Sequence, residues 1–118
     1  MTPKRGDIWV TAGGGGWIAS KPRPALIIRS DLFDGLNHIT FAAITSYAAH
    51  SPTRVKISTQ AGYGLERESF VATDLIYTVP LRNLGRKVGQ VSNSTMAKVE
   101  QSLLLYLGIG NRREASQD

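Results

Sequence analysis

Alternation of apolar and polar positions runs through most of this chain. In "RVKIS" (residues 54–58) Val55 and Ile57 face one way and Arg54 and Lys56 the other, the period of two of a half-buried strand. Comparable runs rich in Ile, Val, Phe or Thr recur at residues 7–11, 25–29, 38–45, 69–79 and 87–91, with Gly, Pro, Asn or Asp punctuating the gaps. "ALII" (25–28) is apolar throughout, which predicts a central strand covered on both faces, with Pro24 tolerated only at its mouth. The period then changes. In "SNSTMAKVEQSLLLYLGIG" (92–110) Met96, Val99, Leu103 and Tyr106 recur at helical spacing, and Leu104 and Leu107 widen the stripe. Ser92 or Asn93 can cap this helix and Gly108 can end it, while the polar residues 111–118 are expected to fray. The prediction is one β-rich (α+β) domain over residues 1–118: a small twisted β-barrel carrying a C-terminal α-helix.

Composition narrows the chemistry. The 118 residues include no cysteine, which excludes disulfides and thiolate metal sites. Fourteen Lys and Arg against nine Asp and Glu give net +5, and the sequence pI is near 9.9, a balance that favours a polyanionic partner. These cations are scattered along the chain, so folding must gather them. The opening "MTPKRGDIWV" lacks the apolar stretch of a signal peptide, and no run reaches the roughly 18 apolar residues of a membrane span. A cytoplasmic protein with no membrane partner is expected.

The candidate sites are few. "GGGG" (13–16) is no phosphate loop, because Lys21 lies between Ser20 and Pro22, and residue 18 of a dinucleotide pattern is Ile. It reads as a loop whose edge residue, Trp17, either stacks on a base or anchors the core. Neither His38 nor His50 has a carboxylate at ligand spacing, so no metal or other cofactor is expected. No serine-nucleophile elbow is present either. "KPRPALIIRS" (21–30) is the informative stretch. Pro22 fixes its own φ, and Pro24 biases Arg23 away from helix, giving a rigid lead-in that holds a permanent, planar cation. Such a group suits a phosphate or the added charge of a phosphorane.

"KPRPALIIRSD" together with "FAAITS" (41–46) resembles the MazF/PemK family of toxin endoribonucleases of type II toxin–antitoxin systems. The likeness runs nearly end to end. "KRGDIWVT" is similar to the family's opening strand, "ESFVATDLIYTV" to its D/E-Q-I-R-T strand, and "LGRKVGQVSNSTMAKVEQSLLLYLGI" to its closing segment and helix.

The resemblance implies an SH3-like barrel with a terminal helix, a homodimer, and metal-independent cutting of single-stranded RNA. It also implies a cognate antitoxin whose disordered, acidic segment covers the active groove. The family's catalytic arginine and threonine fall on Arg23 and Thr45 here. Asp74 falls where some members carry a carboxylate, either as a proton acceptor or, the reading favoured, to position Arg23. Trp17, Lys21, Ser46, Arg54, Lys56 and Tyr77 are the candidate RNA contacts, although Tyr77 suits a core or dimer role equally. The Gln and Arg of the D/E-Q-I-R-T strand are replaced by Leu75 and Tyr77, and "TAGGGGWIAS" replaces the family's first loop, so no cleavage motif carries over. The alternatives are a non-catalytic relative on the same barrel: a binder of a protein target like the gyrase poison CcdB, or a toxin that only binds RNA or antitoxin.

Overall fold

The computed structural model describes residues 2–11, 22–47, 50–57 and 68–110. Its strands are β1 (Asp7–Thr11), β2 (Pro24–Ile27), β3 (His38–Thr45), β4 (Arg54–Ile57), β5 (Ser69–Pro80) and β6 (Leu84–Gln90), followed by helix α1 (Asn93–Leu107). They form one six-stranded sheet in the order β4-β5-β3-β2-β1-β6, every pairing antiparallel. It is barrel-like but open, with β4 and β6 as its edges among the described residues. β2 is central, as its unbroken apolar run predicts, with Ala25, Leu26 and Ile27 fully buried.

Two apolar clusters cover the two faces. Ile8, Leu26, Ala42, Ile44, Val55, Ile57 and Val71 join Val99 of α1 on one side. Trp9, Ala25, Ile27, Ile39, Phe41 and Val79 form the other. The period of two thus divides each strand between two cores, and the second is the one away from the helix.

Some boundaries differ from the sequence reading. β2 ends before Ile28 because the backbone N–H groups of Ile28 and Arg29 both turn to the Thr40 carbonyl. β6 begins at Leu84, three residues earlier than the pattern suggests; as an edge strand with Gly85, Arg86 and Lys87 all exposed, it carries little alternation to read. In β5, Ala72 pairs with Ala43 but Ile76 pairs with Ala42, leaving residues 73–75 as a bulge.

The helix is capped as expected, with the Ser92 hydroxyl accepting from the Thr95 N–H and Gly108 left-handed at φ 71°. Its stripe is used only in part. Val99 and Ser102 are buried, whereas Leu104, Tyr106 and Leu107 are about half exposed, so the last turn runs beyond the sheet. Before β1, Gly6 takes φ 91° in a turn closed by Asp7 N–H to Lys4 O, a conformation that disfavours any side chain.

Candidate active site

The two prolines around Arg23 are part of a larger clamp. The Thr11 backbone N–H donates to the Arg23 carbonyl at 2.8 Å. The Thr11 hydroxyl donates to the same carbonyl at 3.1 Å and accepts from the Arg23 N–H at 3.0 Å. Thr11 is 2% exposed, so these bonds are shielded from water. Both backbone polar groups of Arg23 are therefore fixed by one side chain on the neighbouring strand, and its half-buried guanidinium starts from a defined point.

Register extends this across the sheet. β2 pairs with β3 at Ala25↔Ala43 and Leu26↔Ala42, so two residues further out Arg23 lies opposite Thr45. Thr45 in turn pairs with Phe70, and Phe70 with Lys56. Directly opposed residues share a face, and by alternation from Ala25, Ile27 and Phe41 this row lies on the face away from α1. Arg54 is two residues from Lys56 on the same strand and shares that face. The sheet therefore aligns Lys56, Arg54, Thr45 and Arg23, drawn from three strands distant in sequence. Thr45 ends β3, where its hydroxyl accepts from the Tyr47 N–H at 3.2 Å. Ser46 follows it, exposed.

Asp74 has a partner that the resemblance did not point to: its carboxylate is bonded to Arg54. The bulge is the cause: it sets Asp74 toward β4 and ends the apolar alternation, since Ile76 now pairs with Ala42 on the helix side. Arg54 also donates to the Thr53 hydroxyl at 3.1 Å, and its side chain is only 12% exposed, so it is a held cation and not the solvated one that the simple alternation implies. Behind the bulge, Thr73 is fully buried and its hydroxyl meets that of Ser102 of α1 at 2.6 Å. Ser102 donates to the Pro52 carbonyl, and Thr73 to that of Thr53. The helix thus braces the segment that presents Arg54.

The other candidates separate. Lys56 is exposed and pairs with Glu68 at 2.9 Å. Tyr77 packs on Phe41, ring centroids 5.8 Å apart, at the margin of the second core. Trp17 and Lys21 lie outside the described residues. His38 and His50 are exposed, and no group of metal-ligating side chains occurs among the described residues. Thr11 is the functional residue the sequence reading missed. Its only signal is a hydroxyl at a strand end where the neighbouring run ends in apolar residues.

A guanidinium on a fixed backbone, a hydroxyl opposite it and further cations in line are groups able to hold a phosphodiester. Comparison with known proteins gives the family. Over 107 residues the chain is 35% identical to "Probable endoribonuclease MazF" of Mycolicibacterium smegmatis, covering 90% of this chain and 97% of that one. It is 30% identical to the endoribonuclease EndoA of Bacillus subtilis, over 92% of this chain and 97% of the relative. A mycobacterial endoribonuclease solved with its cognate antitoxin superposes with a TM-score of 0.76 at 24% identity, over 91% of this chain and 96% of the other, which supports the fold. Residues 4–107 match the model of the PemK-like, MazF-like toxins, and the chain belongs to that family of type II toxin–antitoxin systems.

Proposed function

We propose that the protein is a sequence-specific endoribonuclease that cuts single-stranded RNA without metal and serves as the toxin of a type II toxin–antitoxin pair. The observation that carries this reading is the clamped Arg23 set opposite Thr45, in line with Arg54 and Lys56. Its relatives' endoribonuclease names support it.

In the proposed reaction the ribose 2′-hydroxyl attacks the adjacent phosphorus and loses its proton. The 5′-oxygen leaves and gains one, and the products carry a 2′,3′-cyclic phosphate and a 5′-hydroxyl. Arg23 holds the non-bridging oxygens in a bidentate grip and meets the charge that grows in the phosphorane. Its fixed backbone removes reorganisation at that moment. The Thr45 hydroxyl donates to a non-bridging oxygen or orients the nucleophile. Arg54 and Lys56 bind flanking phosphates, with Lys21, Ser46, Trp17 and Tyr77 as further RNA contacts. Asp74, committed to Arg54, positions that guanidinium instead of acting as the base.

The partners follow. An acidic antitoxin segment that orders on binding competes with RNA for the same cationic row. A second copy covers the exposed apolar turn of α1, giving a homodimer. No helix among the described residues is long and apolar enough to cross a membrane, and we place the protein in the cytoplasm.

The test is incubation of a long RNA with wild type and Arg23→Ala in EDTA, followed by mapping of fragment 5′ ends. Discrete cuts with 5′-hydroxyl ends from wild type alone are expected. Undiminished cutting by the variant overturns the assignment, and no cutting by either folded protein leaves the binding-only alternatives.

A further inference from the structure

Beyond β1, on the sheet face that bears Arg23, lies a cavity of about 460 Å³, within the size range of small-ligand pockets. Pro3, Trp9, Leu81 and Leu84 give it apolar walls, and Arg86 and Lys87 complete it with exposed cations. The indole of Trp9 is held by its Nε1–H donating to Asp7 at 3.2 Å. The charge of Asp7 is met in turn by Lys87, also at 3.2 Å. With Lys87 matched by Asp7, Arg86 supplies the cavity's positive charge.

The register ties the cavity to the site. Leu84 pairs with Thr11, the residue that clamps Arg23, so the pocket wall stands two strand spacings from Arg23, about 10 Å. An extended RNA strand crossing the row from Lys56 past Thr45 and Arg23 arrives there with its next nucleotides. Flat apolar walls suit any base, and a neighbouring guanidinium suits its phosphate.

We propose that this pocket seats a nucleobase flanking the scissile phosphate, with Arg86 on the flanking phosphate. The inference rests on the RNA-cutting reading and adds a specificity subsite to it. A peptide segment of the antitoxin also has the size to enter, but an indole wall beside a guanidinium matches the alternation of base and phosphate and favours RNA.

The test uses an RNA containing the mapped cut site, with a 2′-deoxy sugar there to prevent cleavage. Affinity is measured across salt concentrations for wild type, Arg86→Ala and Leu84→Ala. Loss of one phosphate contact in Arg86→Ala lowers the salt slope by about 0.7. Removing the flanking base from the RNA weakens wild type about tenfold, and Leu84→Ala to a clearly smaller extent. Because Arg86 is exposed, its truncation leaves the fold standing, and thermal melting verifies this for both variants. An unchanged slope together with an equal cost of base removal in all three proteins overturns the pocket while cleavage by wild type stands. Weakened binding of an acidic antitoxin peptide, with RNA binding unaltered, reassigns the pocket and overturns the proposal. Failure of wild type to cut any RNA overturns the underlying reading and the subsite with it.

Discussion

Arg23 owes its place to Thr11 as much as to its prolines. Replacing Thr11 by Val keeps the shape but leaves the Arg23 N–H without its acceptor at a shielded position. The expected cost is about 1–3 kcal/mol of stability. A fall of about tenfold in kcat/KM is also expected, since small displacements of a charge-stabilising group are expensive. Thr11→Ser, which keeps the hydroxyl, should recover most of the rate; urea titration and single-turnover cleavage check the two effects. The Arg54–Asp74 pair calls for a double-mutant cycle. Asp74→Asn and Arg54→Met should show a coupling of about 1–3 kcal/mol in unfolding free energy. Additive losses would mean that the contact is incidental. At this scale the sequence was legible where local stereochemistry acts: "PRP" announces a fixed arginine without any tertiary knowledge. Thr11 and the pairing of Asp74 with Arg54 were not, because each depends on what lies across a strand pairing.

Among the elements, the bulge in β5 shapes the site most. Residues 73–75 interrupt an otherwise regular ladder, and the hydroxyls of Thr73 and Ser102 tie that interruption to the helix. Ser102→Ala therefore takes a partner from the fully buried Thr73 hydroxyl and breaks the bond to the Pro52 carbonyl. A loss of about 1–3 kcal/mol is expected, read as a lower urea midpoint with an unchanged m-value. The strand positions followed from alternation and from turn residues, and β1 and β3 coincide with their runs. The bulge left no trace in the pattern, because "VATDLIY" alternates no better with an insertion than without one. The helix was misjudged at its end for a related reason. A stripe of leucines records which face is apolar and says nothing of how far the sheet beneath it extends.

The whole molecule gathers cations that the sequence disperses. Lys56 and Arg54 come from β4, Arg23 from the residue before β2 and Lys87 from β6, and antiparallel pairing brings them to one face. RNA affinity should accordingly fall steeply with salt, by about 0.7 in logarithmic slope for each phosphate engaged. At the opposite end, Leu104 and Leu107 are exposed on the last turn of α1. Changing both to Glu should yield a folded monomer by light scattering if a second copy covers them, and an unaltered mass would place the dimer elsewhere. The strand order has a further consequence. β1, the first strand in chain order, lies between β2 and β6, and Asp7 pairs with Gln90. Until β6 is made, then, the strand that clamps Arg23 has one side without its mate. A nascent or prematurely terminated chain lacks that finished support. For a protein that attacks RNA, translation itself becomes a safety catch, released once β6 has joined the sheet.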